Sequence, residues 1–252
     1  MINVLCCLLT FCFCLAPSVC FSYDIQVLGN TLPPLKFQRK GKVQGIMVDV
    51  LAEIMEDVGN PIDPTSIQMV GWARAYEDTT TMPGYVLLGA AFTEERKDQL
   101  KWVGPVYPLQ LALIGKQNRN IVVETASDAS KYVVGTLLNS APEQLLFKQG
   151  FPPDKVYRIP KTEFGLRMLA DGRLDLLAYA AIPSFHMMEE LGIDPTMYQV
   201  YYVIKEVDLY FGFNKSFDDQ FISKLNTALE KLKIPDENGT SEYDRILKKY
   251  LK

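Results

Sequence analysis

The stretch Gly89-Ala90-Ala91-Phe92-Thr93-Glu94-Glu95-Arg96, followed by Lys101-Trp102-Val103-Gly104-Pro105-Val106-Tyr107, decides how the rest of the chain is organised. The apolar run Tyr85 to Ala91 has the length and bounding of a buried strand. Thr93 can cap a short helical turn holding Glu94, Glu95 and Arg96, and a second apolar strand follows. An arginine just past the C-terminal end of a buried strand stands where open α/β sheets place their ligands. Its guanidinium is always charged and offers a planar fork to a carboxylate. The alternative is a surface Arg96 paired with Glu94 or Asp98.

The pattern T-x-x-R at Thr93 to Arg96, then an aromatic and G-P-x-Y at Trp102 to Tyr107, resembles the signature of the family 3 extracellular solute-binding proteins. These are periplasmic receptors of amino-acid-type ABC importers. The resemblance implies that Arg96 grips a ligand carboxylate, with Ala91 at the end of the preceding strand as a further ligand-binding residue. A second pattern is Gly41 to Met55, G-x-x-x-G followed by V-D and an apolar helix. Gly41 and Gly45 make a hairpin-like turn, and residues 50, 51, 54, 55 and 58 form one helical stripe. Asp49 reads as a structural cap at the helix start. The third pattern, M-L-x-x-G-R-φ-D, stands intact as Met168 to Asp175.

Residues 1–22 carry no Lys, Arg, Asp or Glu and hold every cysteine, Cys6, Cys7, Cys12, Cys14 and Cys20. The apolar core Val4–Leu15 is too short to span a bilayer comfortably and ends in small and turn-forming residues, so it reads as a secretory signal peptide. Lipid anchoring at Cys20 is the minor alternative. The mature part then has no disulfide, thiolate chemistry or cysteine metal site. Roughly 230 residues remain, enough for one large or two modest domains. A net charge of -4 without a strong basic cluster argues against nucleic acid as partner.

Asp24 to Gly29 alternates as a first strand, and the loop Asn30 to Leu35 follows its end. In the family this loop touches ligand through an aromatic; here Leu32 and Leu35 occupy the place. Ile67 to Val70 is a short strand, and Gly71 to Tyr76 opens a helix, with residues 77–83 a polar loop. Trp72 at the strand-to-helix junction either lines the cleft or packs as core, and the W-x-R-A pattern favours the cleft; Arg74 is a weaker candidate. Leu109 to Ile114 is a further strand, and Gly115 to Asn120 is polar punctuation suited to a domain boundary.

Ser140 is a good N-cap, with Pro142 in the first turn and Glu143 completing a capping box. A helix start offers free N–H groups to a carboxylate. The resemblance implies that this start clamps the carboxylate held by Arg96, with Asn139 replacing the family's glycine and Ser140 keeping the hydroxyl. Glu163 to Ala170 is a helix, and Arg173 to Tyr179 a buried strand. The family's ammonium-binding acid would fall at position 180, where the chain has Ala180; a buried ammonium without a carboxylate is costly, which weighs against a standard α-amino acid. Tyr179 is the nearest polar side chain, either a ligand donor or a core tyrosine. His186, the only histidine, forms no triad or metal site. Met197 to Ile204 is extended, Lys205-Glu206 a polar break, and Leu209 to Phe213 a returning strand. Two amphipathic helices, Phe217–Lys233 and Ser241–Leu251, close the chain.

The expected fold is α/β: the two-lobed periplasmic binding protein fold of type II, each lobe a mixed sheet flanked by helices, joined by a two-strand hinge. Lobe 1 comprises 23–115 and 206–252; lobe 2 is 116–205. The expected function is a monomeric periplasmic receptor for a small polar or carboxylate-bearing ligand, partnered with an inner-membrane ABC permease, with no cofactor or metal. The alternatives are a dehydratase-type enzyme, with Glu163 as candidate acid, and a receptor feeding a sensor or chemoreceptor.

Overall fold

Lys101–Lys116 and Tyr198–Phe213 each form one unbroken strand, and these antiparallel partners tie the molecule together. The computed structural model of the chain describes residues 25–117 and 119–251. The expected signal peptide, the cysteines and the alternative of lipidation at Cys20 lie outside the described residues. The chain begins with β1 (Gln26–Gly29), the hairpin β2 (Phe37–Arg39) and β3 (Lys42–Gln44), α1 (Ile46–Asp57), β4 (Gln68–Met69), α2 (Trp72–Thr81), β5 (Tyr85–Ala91) and the long β6 (Lys101–Lys116). It continues through β7 (Val134–Leu137), α3 (Ala141–Lys148), β8 (Val156–Ile159), α4 (Thr162–Ala170), β9 (Leu176–Ala180) and α5 (Ala181–Glu190). The long β10 (Tyr198–Phe213), α6 (Asp219–Leu232) and α7 (Glu242–Tyr250) complete it.

The strands form a mixed eight-stranded sheet in the order β4-β1-β5-β10-β6-β9-β7-β8. Sequence expects a separate sheet in each half of the molecule. Instead β6 and β10 pair from Lys101↔Phe213 to Lys116↔Tyr198, which fuses the halves into one surface. β1 and β5 are parallel on one side, β7 and β9 parallel on the other. The residues at or just beyond the C-terminal ends of these four strands converge on one cavity. Open α/β sheets bind ligands at such ends.

Three expected breaks are not breaks. Pro105 and Pro108 leave β6 continuous, with a register shift on the partner strand between Leu209 and Phe211. Bulges of this kind accommodate a residue that cannot donate to the ladder. Lys205-Glu206 lies inside β10, beside a register shift between Val203 and Lys205. The polar residues 77–81 continue α2: the hydroxyls of Thr79, Thr80 and Thr81 donate to the carbonyls of Ala75, Tyr76 and Glu77 at 2.7, 3.0 and 2.7 Å. Threonine can satisfy itself on the preceding helical turn, so polarity alone does not end a helix.

Asp49 does not cap α1. Gly45 stands at the N-cap with no side-chain bond, at φ 132°, where a Cβ would come 2.4 Å from the Leu35 carbonyl oxygen. Asp49 instead accepts from Lys249 Nζ at 2.7 Å and Tyr250 Oη at 2.9 Å, fastening α7 to α1. The stripe on α1 buries Val50, Leu51, Ile54 and Met55, and both α6 and α7 pack on this helix. α7 has the capping box that α3 lacks, formed by Ser241 and Asp244.

Candidate functional site

Arg96 follows β5 on a turn closed by the Thr93 carbonyl, which accepts from the amides of Arg96 and Lys97 at 3.0 Å each. The side chain is 1% exposed, so the surface ion-pair alternative does not hold. Its guanidinium carbon lies 5.0 Å from the Trp72 ring centre and 5.1 Å from that of Tyr76. These two rings, one helical turn apart on α2, are stacked at 5.6 Å. Cation–π contact stabilises by about 0.5–2 kcal/mol, more when desolvated. Burial pulls the Arg96 pKa down to about 10, which still leaves it charged at neutral pH.

Nη2 of Arg96 donates to the carbonyl oxygen of Asn139 at 2.8 Å, and Trp72 Nε1 donates to the same oxygen at 3.1 Å. Nε and Nη1 of Arg96 are buried with no hydrogen-bond partner among the described residues. An unsatisfied buried donor costs about 1–3 kcal/mol, and more when charged. Two nitrogens of the fork therefore have no acceptor among the described residues.

The far wall is the start of α3. Asn139 has φ 56°, a left-handed conformation that asparagine tolerates better than most residues; this is why asparagine can stand in a glycine's place. Ser140 caps the helix, accepting from the Glu143 amide at 3.4 Å. The expected capping box does not form. Glu143 Oε2 instead accepts from the Asn139 amide at 2.6 Å, while Oε1 accepts from Thr136 Oγ1 at 3.2 Å and Arg158 Nε at 2.8 Å. Glu143 fixes the strained residue whose carbonyl meets Arg96.

The cavity between these walls measures about 50 Å³ and is bounded by Arg96, Trp72, Ala91, Ser140, Tyr179 and Ala180, with Asn30, Lys36 and a set of leucines. Asn139 is not among the lining residues; its carbonyl meets two of them, Arg96 and Trp72. Tyr179 is buried, and its hydroxyl donates to the Thr31 carbonyl at 3.2 Å, a second bridge between the halves; burial pushes its pKa up to about 12. Ala180 lies at the N-cap of α5, buried, with no carboxylate. Arg74 is exposed and pairs with Asp78, away from the cavity. His186 is half-buried on α5. Glu163 borders a neighbouring polar cleft of about 110 Å³ with Lys161 and Thr162. Among the described residues, no group of three or more His, Cys, Asp or Glu side chains could hold a metal ion.

Sequence reasoning missed Lys36, Asn30 and Tyr76. Lys36 is 1% exposed; its Nζ donates to the Gly89 carbonyl at 2.7 Å, and burial lowers its pKa to about 7. The signal was present: a lysine between Leu35 and Phe37, at the end of the loop expected to touch ligand.

The third pattern serves the frame rather than the cavity. Asp175 accepts from Arg119 Nη1 at 2.9 Å and from the Val133 amide at 3.0 Å, aligning β9 with β7.

Comparison with solved structures shows the same fold. A histidine kinase sensor domain similar to periplasmic binding proteins superposes with a TM-score of 0.77 at 19% identity, covering 91% of this chain and 96% of that one. The P235GK mutant of ArgBP from T. maritima gives 0.73 at 19%, covering 90% and 94%. The arginine-, lysine-, histidine-binding protein ArtJ from Geobacillus stearothermophilus gives 0.73 at 19%, covering 90% and 95%. Comparison with curated proteins finds no match. No helix among the described residues is long and apolar enough to cross a membrane. With Arg96 beyond β5 facing the start of α3, and residues 26–252 matching the family throughout, the chain belongs to the bacterial extracellular solute-binding proteins, family 3.

Proposed function

We propose that the chain is a periplasmic receptor that closes on one small carboxylate-bearing ligand and delivers it to an ABC permease, without catalysis. The observation that carries this reading is Arg96: a buried guanidinium whose Nε and Nη1 have no partner, facing a cavity. Lobe 1 is 23–115 with 206–252, and lobe 2 is 116–205. Arg96 acts from the first and the Ser140 helix start from the second. Only the closed form brings both to one carboxylate, so ligand shifts the equilibrium towards closure. Residues 1–22 direct secretion, and the mature protein acts as a monomer.

The ligand differs from that of the arginine-binding neighbours. Among the described residues no Asp or Glu borders the central cavity, and the Ala180 side chain offers nothing to an ammonium. The same absence leaves the central cavity without a general acid, while Glu163 faces the adjacent cleft. A related organic acid fits better than a basic amino acid.

The sensor-domain likeness favours a second reading, a receptor that reports its ligand to a signalling partner. Both readings share the ligand test. In a thermal-shift screen of amino acids, amines and mono- and dicarboxylates, a carboxylate should raise the melting temperature, since a ligand bound only by the native state stabilises it. Arg96→Ala should abolish that rise. Equal binding by Arg96→Ala would sink the proposal.

A further inference from the structure

Lys36 is unexplained by a single-carboxylate ligand. It is fully buried, shares the cavity with leucines and alanines and with no acidic side chain among the described residues, and its one side-chain hydrogen bond among them goes to a neutral carbonyl. The approach depends on Gly89, at φ 83°, where a Cβ would meet the Met47 Cε at 2.9 Å and lie 3.6 Å from Lys36 Nζ. An ammonium has three donors, so two remain for something else. Arg96, whose Nε and Nη1 have no hydrogen-bond partner among the described residues, lines the same cavity. Among the described residues no carboxylate borders it; Glu95, the acidic neighbour that acts on Arg96, is half exposed and bridged to Lys148 at 2.9 Å. Two buried cations without an anion between them are costly to keep desolvated.

We propose that the cavity is built for a short ligand with two acidic groups, one held by the Arg96 fork and the Ser140 helix start, the other by Lys36. This deepens the proposed function and rests on its carboxylate reading. Beside Asn30, Ser140 and Tyr179 the cavity lining is mostly apolar, with Leu32, Leu109, Leu111 and Leu137. That lining suits a carbon chain joining two acids better than a compact inorganic dianion. It also excludes a ligand ammonium from the Lys36 end, where two like charges would meet.

The test is calorimetric titration of the mature protein, freed of bound solute by unfolding and refolding. Oxalate, malonate, succinate and glutarate are compared with acetate, propionate, butyrate and valerate, and with sulfate and phosphate. At neutral pH the best diacid should bind at least ten-fold tighter than the monoacid of equal chain length. Lys36→Met replaces the ammonium by an apolar side chain of similar length and should erase this preference while monoacid binding persists. Equal or tighter monoacid binding by the wild type overturns the inference and leaves the carboxylate reading standing. So does a preference that survives in Lys36→Met, or sulfate or phosphate outbinding every diacid. Should Lys36→Met fail to fold, the wild-type comparison alone still decides. If no carboxylate of either class binds, the inference and the carboxylate reading fall together.

Discussion

Arg96 and Asn139 meet directly: the arginine beyond β5 donates through Nη2 to the backbone carbonyl just before α3, at 2.8 Å. The contact joins a residue of the N-terminal half of the sheet to one of the far half, and Trp72 reinforces it on the same oxygen. Tyr179 bonded to Thr31, and Lys148 bridged to Glu95, add two further ties across the cleft. The exposed Lys148–Glu95 pair is worth little by itself. The buried Arg96 contact matters more, because it uses one nitrogen of the fork and leaves Nε and Nη1 without a partner among the described residues. A carbonyl is a weaker partner for a guanidinium than a carboxylate, so a ligand oxygen competes favourably for the remaining donors.

Arg96→Met separates ligand binding from folding. Removing a partly unsatisfied buried charge is often neutral or stabilising, against which stands about 1–2 kcal/mol of lost contact with Trp72 and Tyr76. The empty variant should therefore melt within a few degrees of wild type. Its affinity for carboxylates should fall by 100-fold or more, about 3 kcal/mol. A variant that melts normally and still binds a carboxylate would remove Arg96 from the site.

Asn139 offers a backbone test. At φ 56° glycine can replace asparagine without strain, so Asn139→Gly should change stability by less than about 1 kcal/mol. A β-branched residue there is far less tolerated, and Asn139→Val should cost about 1–3 kcal/mol. Because the valine also shifts the carbonyl that meets Arg96 and Trp72, ligand affinity should fall with it. Urea denaturation and titration on both variants check this; equal stability of the two would show that the left-handed geometry is not required.

The frame of this molecule is legible from local pattern, the cavity only in part. The strand over residues 85–91, the α1 stripe and the Ser140 cap follow from periodicity and capping chemistry, which act over a few residues. Arg96, Trp72, Ala91, Ser140 and Tyr179 all border the central cavity, as their positions at strand and helix ends suggest. What local pattern cannot give is a partner distant in sequence. Asp49 is an ordinary N-terminal helical acid until α7, some two hundred residues on, places Lys249 and Tyr250 against it. Glu143 has the right spacing for a capping box, but Arg158 and Thr136 arrive from β8 and β7 and turn its carboxylate away. Lys36 looks solvated in sequence because lysine usually is; its burial depends on the approach of Gly89 from another strand.

Glu143 is accordingly a structural anchor for the cleft wall. Its carboxylate receives an amide, a hydroxyl and a guanidinium while itself 1% exposed. Glu143→Ala leaves the Asn139 amide and the Thr136 hydroxyl without that acceptor, and should cost about 2–4 kcal/mol. Glu143→Gln keeps an acceptor oxygen and should lose less. Guanidinium melts of the two variants give the comparison; a Glu143→Ala protein as stable as wild type would mean that the left-handed Asn139 holds itself.

The pH dependence follows from Lys36. Its pKa is 10.5 when solvated and about 7 in the folded protein, lowered by burial. Between those values the unfolded chain binds the extra proton, so the empty folded state gains stability as pH rises from about 7 towards 10.5 and carries the full penalty below 7. The gain is on the order of a few kcal/mol. The other titratable groups facing the cavity, Arg96 near 10 and Tyr179 near 12, keep their protons around neutrality. Stability curves at pH 7 and 9 should diverge between wild type and Lys36→Met, with wild type gaining more at the higher pH. A bound diacid reverses the sign, because it holds Lys36 charged: above pH 7 its binding should take up close to one proton per site, and its affinity should fall up to ten-fold per pH unit. Calorimetry in buffers of different ionisation heat measures that proton directly, and a diacid bound with no proton uptake at pH 8 would show that Lys36 does not carry the second charge.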